Sequence, residues 1–125
     1  MATVPKRILI VDDEPNIVIS LEFLLKREGF EVAVAGDGET ALRLLAEQRP
    51  DLVLLDVMLP KKSGYEVCAA IRGNAGLQAT KIILLTAKGR ETEMAKGMAL
   101  GADTYMTKPF STKDLLTRVK QMLGT

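Results

Sequence analysis

At 125 residues, 47% of them hydrophobic and 26% charged, the chain is long enough for one full hydrophobic core and short for two, so residues 1–125 read as a single domain. A formal net charge of +1 offers no basic surface for nucleic acid or a membrane, and the lack of any histidine excludes imidazole metal ligands, the commonest general base and phosphohistidine chemistry inside the chain. Cys68 stands alone, which excludes an internal disulfide, and the opening MATVPKR has no long apolar region of the secretory kind, so a cytoplasmic protein is expected.

The first element is the aliphatic run ILIV at 8–11, whose lack of alternation suits a strand covered on both faces. Pro15 then opens a helix with the stripe Ile17, Val18, Leu21, Leu24 and Leu25, which stops at Gly29. VAVA at 32–35 is a weaker strand of smaller side chains, and Asp37 can cap a second helix bearing Ala41, Leu42, Leu45 and Ala46 before Pro50. LVLL at 52–55 repeats the covered pattern, Val67, Cys68 and Ile71 mark a third helix ending near Gly73, and IILL at 82–85 is another covered strand. The fourth helix, roughly 91–100, carries only Met94, Ala95, Met98 and Ala99 on its stripe and has Gly97 inside. Such side chains bury little area and an internal glycine costs about 1 kcal/mol, so this helix is expected to be weakly held. DTYMT at 103–107 is a more polar strand, and Ser111 with Asp114 forms an S-x-x-D capping box for a last helix bearing Leu115, Leu116, Val119, Met122 and Leu123.

Alternation of strand and helix five times over implies a parallel sheet with right-handed crossovers and helices on both faces, a doubly wound (βα)5 three-layer α/β sandwich. The covered runs belong in the middle and the two weaker strands at the edges, which gives the spatial order 2-1-3-4-5. This is the flavodoxin-like arrangement, with its ligand crevice at the switch point between strands one and three. Asp12 and Asp13 then follow strand one, Asp56 strand three, Thr86 strand four and Lys108 strand five, so all converge on the carboxyl edge of the sheet. Two carboxylates about 5 Å apart repel by roughly 3 kcal/mol at an effective dielectric near 20, and three of them call for a cation. Mg2+, a hard dication served by carboxylates, waters and phosphate oxygens, needs neither histidine nor cysteine. Together with Lys108 it would bring the cluster to formal neutrality, a state that a phosphoryl group can approach.

These residues resemble the receiver domain of two-component response regulators, over essentially the whole chain. The matching pieces are the acid pair in VDDEP, Asp56 in LLDVMLPKKSG with Pro60 and Gly64, Thr86 with Ala87 in LLTAK, Tyr105, and Lys108-Pro109 in KPF. The resemblance implies that Asp56 is the phosphoacceptor and that Asp12, Asp13, Asp56 and the backbone carbonyl of Met58 hold Mg2+. It implies that Thr86 and Lys108 contact phosphoryl oxygens and that the Lys108-Pro109 bond is cis. A partner histidine kinase or histidine phosphotransfer protein would supply the phosphoryl group, and the chain would catalyse only its own phosphorylation and dephosphorylation. Thr86 and Tyr105 would pass the signal to the surface of helix four, strand five and helix five, where a downstream target or fused output domain would read it. Met58 and Lys88, two residues beyond Asp56 and Thr86, stand at positions that vary among receivers. Loss of Asp13 is expected to weaken the metal and to relieve at most a few kcal/mol of repulsion.

Taken alone, Tyr105 reads as edge-strand packing and Cys68 as helix packing. Two other functions share some of this equipment. An aspartate-nucleophile phosphohydrolase would typically need a second acid two residues after the nucleophile, where Met58 stands, and a cap for which the chain has no room. A flavodoxin-like cofactor binder would need a stacking ring or a glycine-rich phosphate cradle, and aromatic content is only 4%.

Overall fold

The three aliphatic runs form the centre of a five-stranded parallel sheet in the order β2-β1-β3-β4-β5. Its strands are β1 (Arg7–Val11), β2 (Glu31–Ala35), β3 (Leu52–Asp56), β4 (Lys81–Ala87) and β5 (Thr104–Lys108). The helices between and after them are α1 (Pro15–Arg27), α2 (Gly38–Gln48), α3 (Gly64–Arg72), α4 (Glu91–Ala99) and α5 (Thr112–Leu123). The computed structural model describes residues 4–87 and 91–125, and Lys88 lies outside the described residues. The doubly wound order and the edge positions of β2 and β5 are those the sequence predicts.

The runs lack alternation because the pleat divides them between two cores. Leu9, Val11, Val53, Leu55, Ile82 and Leu84 face α2 and α3, burying Ala41, Leu45, Val67, Cys68 and Ile71. Their neighbours Ile8, Ile10, Leu52, Leu54, Ile83 and Leu85 face α1 and α5, burying Leu21, Leu25, Leu115 and Val119. Successive side chains of a strand point to opposite faces, so a strand with helices on both sides must be apolar at every position.

Local signals set the helix starts. Asp37 accepts from Thr40 N at 2.7 Å and Ser111 from Asp114 N at 2.9 Å, so both predicted caps are made. Ser63 caps α3 in the same way, accepting from Glu66 N at 3.2 Å. A short 3-10 turn at Ala75–Leu77, which hydrophobic periodicity does not reveal, buries Leu77.

Helix α4 departs from expectation. Ala95, Met98 and Ala99 of the predicted stripe are exposed, Met94 is half-buried, and the residue that α4 buries is Gly97. A Cβ at that position would overlap the tip of the Leu84 side chain, so glycine lets the helix sit against β4 without displacing it. The glycine is therefore part of the packing, as well as a helix weakness. Beyond α4 the chain is tied down: Arg72 Nε donates to Gly101 O and Arg72 Nη2 to Asp103 Oδ2, both at 2.8 Å, while Asp103 Oδ2 also accepts from Ile82 N at 2.8 Å. Cys68 lies buried beneath the same segment, with its thiol 3.8 Å from Leu100 O.

Candidate functional site

The parallel sheet brings four strand ends to one edge. Asp12 follows β1 directly and its N–H donates to Ala35 O of β2 at 3.1 Å, which fixes the chain as it leaves the strand. Asp56 is the last residue of β3 and stands opposite Leu85, so Thr86 lies one step further along the neighbouring strand. Lys108 ends β5 opposite Ala87, and the Lys108-Pro109 bond is cis, as the family pattern predicts.

Lys108 closes the cluster from the far strand. Its Nζ lies 2.9 Å from Asp12 Oδ2, 2.9 Å from Glu14 Oε1 and 3.4 Å from Asp56 Oδ2. The side chain of Asp12 is 0% exposed, that of Asp56 8%, that of Lys108 16% and that of Glu14 57%. Backbone donors steady the acids: Glu14 N–H bonds Asp12 Oδ1 at 2.9 Å, and Met58 N–H bonds Asp56 Oδ1 at 3.1 Å. Gly64 supports the far side of β3. Its N–H donates to Val57 O at 3.0 Å, and a Cβ there would overlap Asp56 O and come within 2.8 Å of Val57 Cα.

Carboxylate oxygens of Asp12, Asp13 and Asp56 lie within 4.8 Å of one another. Opposite ligands of an octahedral Mg2+ stand about 4.2 Å apart, so small side-chain rotations would bring all three acids onto one hard cation. The donor set thus fits a divalent metal. The acids differ in environment, however, because Asp13 is exposed while Asp12 and Asp56 are buried. Solvent screens the charge of Asp13, so removing it relieves little of the repulsion among the three acids. Asp13→Ala should raise metal-free stability by less than about 1 kcal/mol while weakening Mg2+ affinity at least tenfold, as calorimetric titration would read. An unchanged Mg2+ affinity would remove Asp13 from the metal set.

Electrostatics mark Asp56 as the strained member. Burial pushes its pKa up and the nearby charge of Asp12 adds to this, while Lys108 pulls it down without prevailing, leaving it at about 6 against an ordinary 3.8. For Lys108, burial acts to lower the pKa, but hydrogen bonds to Asp12 and Glu14 and the charges of Asp56 and Asp12 outweigh it, so the ammonium is held well above its ordinary range. Asp56 is thus raised chiefly because it is buried, and the attraction of Lys108 does not make up for the water it has lost.

Thr86 contributes an unused polar atom. Its Oγ1 is buried and makes no hydrogen bond among the described residues. A buried hydroxyl without a partner is unfavourable by about 1–3 kcal/mol, and an oxygen-rich group bound at the sheet edge would satisfy it. Met58 turns its side chain to solvent, and Tyr105 is exposed at the position opposite Leu84, three residues before Lys108 in β5. The sheet therefore gathers Asp12, Asp13, Asp56, Thr86 and Lys108, and leaves Tyr105 roughly 10 Å down its strand. The sequence reading missed Glu14. Its only signal is the third acid in VDDEP, and the approach of Lys108, 94 residues later, is invisible until the chain is folded.

The response regulator receiver domain family matches residues 8–120. A protein from Chloroflexus aurantiacus described as a response regulator is 36% identical, covers 98% of this chain and 100% of its own, and superposes with a TM-score of 0.92. The chemotaxis response regulator CheY4 of Vibrio cholerae is 30% identical, with coverages of 95% and 99% and a TM-score of 0.89. The signal receiver domain of a signal transduction histidine kinase from Syntrophus aciditrophicus is 33% identical, with coverages of 95% and 90% and a TM-score of 0.88. With the acidic edge, the strand order and the match all agreeing, the chain belongs to the receiver domain family of two-component response regulators.

Proposed function

We propose that Asp56 is the phosphoacceptor of this receiver and that residues 1–125 work as one cytoplasmic signalling unit. The observation that carries the reading is the position of Asp56: a buried carboxylate at the switch point, opposite two further acids, touched by Lys108 and one strand step from the unsatisfied Thr86 hydroxyl. With a pKa of about 6 it is mostly ionised at neutral pH, as a nucleophile must be. Asp56 Oδ would attack the phosphorus of a phosphohistidine on a partner kinase or phosphotransfer protein; the new O–P bond forms as the N–P bond breaks and the imidazole takes the electron pair. The donor histidine lies outside residues 1–125, which contain none. Asp12, Asp13, Asp56 and the Met58 main-chain carbonyl would hold Mg2+, which when bound supplies charge neutralisation at the phosphoryl oxygens. Lys108 adds its ammonium to the same oxygens, and Thr86 donates its hydroxyl. The chain acts on its own carboxyl group and later assists its hydrolysis.

Acetyl phosphate with Mg2+ should add one phosphoryl group, seen as a single adduct in intact-mass spectrometry and removed by alkaline hydroxylamine. Asp56→Asn should carry none. An undiminished adduct in that variant would move the acceptor elsewhere.

The output would pass through Thr86. A phosphoryl oxygen on Asp56 gives its hydroxyl a charged partner worth roughly 1.5–3 kcal/mol, enough to shift a two-state equilibrium more than tenfold. Drawing the end of β4 inward would open space for the Tyr105 ring, which lies outward here, and alter the α4–β5–α5 face offered to a downstream target or fused output domain. Beryllofluoride should therefore change amide exchange through α4 and β5 in the parent protein. Thr86→Ala should keep the mimic yet lose most of that change. Equal changes in the two proteins would defeat the coupling from Thr86 to Tyr105.

A further inference from the structure

A lysine ammonium has three N–H donors, and Lys108 has three carboxylates to receive them: Asp12 Oδ2 at 2.9 Å, Glu14 Oε1 at 2.9 Å and Asp56 Oδ2 at 3.4 Å. A phosphoryl group on Asp56 inherits the donor now turned to Asp56 Oδ2, the longest of the three contacts, and can draw the ammonium closer only by loosening one of its two shorter bonds, to Asp12 or to Glu14. Asp12 is the costlier of the two to release, because its side chain is fully buried and water cannot replace the ammonium there. Glu14 is 57% exposed and can trade Lys108 for water at little cost. It also stands at the N-cap of α1 without capping any helix N–H, so its carboxylate is committed to Lys108 instead of to the local role its position offers.

We propose that Glu14 is a positioning residue for Lys108, an exchangeable counter-ion that holds the ammonium between Asp12 and itself in the unmodified protein and yields it to the phosphoryl group. The inference rests on Asp56 as phosphoacceptor. Glu14 then opposes modification slightly, because the ammonium closes on the phosphoryl group only as its bond to Glu14 loosens. Its removal frees one donor of Lys108 in advance. An exposed ion pair of this kind corresponds to about fivefold in an equilibrium constant at most.

The test is the affinity of beryllofluoride for the full chain at saturating Mg2+, read by fluorine NMR in the parent, Glu14→Gln and Glu39→Gln. Glu39 is an exposed acid in the first turn of α2, at the same edge of the sheet, and controls for mere loss of negative charge. Glu14→Gln should bind several-fold tighter, up to about fivefold, with Glu39→Gln within about twofold of the parent. Unchanged or weaker binding in Glu14→Gln overturns the hand-over, as does equal tightening in both variants, which would be a field effect. A parent that binds no beryllofluoride, or binding retained by Asp56→Asn, would instead overturn the phosphoacceptor reading and this inference with it.

Discussion

Asp56→Asn should make the metal-free protein more stable than the parent at pH 7.5, by about 3 kcal/mol. The folded pKa of Asp56 is about 6 against an ordinary 3.8, and each unit of difference corresponds to about 1.4 kcal/mol between the two protonation states. Because the folded value is the raised one, the native state holds the proton more tightly than the unfolded chain. The contribution of this group to stability is fully present below pH 4 and is lost as pH rises through 6. The advantage of the neutral asparagine should therefore grow across that window and vanish at its acid end, where the parent carboxyl is itself neutral. Lys108 keeps Asp12 and Glu14 in the variant, so no buried cation is stranded. Millimolar Mg2+ should reverse the order, since a ligand bound only by the folded parent stabilises it by mass action. Urea unfolding followed by circular dichroism at pH 4 and pH 7.5, with EDTA and then with Mg2+, would decide it; the chain has no tryptophan to follow. Equal stabilities at pH 7.5 in EDTA would mean that the Asp56 carboxylate is not strained.

Gly64→Ala should lower stability by about 2–4 kcal/mol and slow phosphorylation at least tenfold. The new methyl group would meet Asp56 O and Val57 Cα, both main-chain atoms with no rotamer to escape into. The start of α3 must then retreat from the end of β3, breaking the Gly64 N–H bond to Val57 O and displacing the carboxylate that has to be aimed. Gly97→Ala is the informative contrast. There the obstacle is the tip of the Leu84 side chain, and alanine recovers about 1 kcal/mol of helix propensity, so its net loss should be smaller. Chemical denaturation of the two variants gives the comparison. A Gly64→Ala protein within about 0.5 kcal/mol of the parent would show that α3 and β3 have slack between them.

What could be read in advance follows from where hydrophobic contrast exists. ILIV, LVLL and IILL announce central strands because a sheet covered on both faces leaves no position for a polar residue, and each acid or hydroxyl at their ends stands out against that background. The edges showed themselves by their smaller or more polar side chains. Helix α4 was legible as a helix but not as a face: alanine and methionine give little contrast, and the residue it buries, Gly97, has no side chain to register in any hydrophobic pattern. At the site, sequence placed Asp12, Asp13 and Asp56 together but treated them alike. Which acid is dry and which is wet depends on the packing above the sheet edge, and that difference moves the electrostatic strain from Asp13 to Asp56. Glu14 was hidden for a related reason, since its partner comes from the opposite end of the chain.

The Arg72 ties give α4 a heel and a toe. Beyond its last turn the chain is gripped by the guanidinium at Gly101 and Asp103, and within that turn Gly97 is seated on Leu84, both remote from the acids. The opposite end of the helix, at Glu91, comes next in chain order after β4, where Thr86 would be pulled. A nine-residue helix is about 13 Å long, so a 10° swing about the gripped end carries the other end by roughly 2 Å. The exposed side chains Glu91, Thr92 and Ala95 ride on that lever, and a sub-ångström pull at a hydroxyl would reach the surface enlarged.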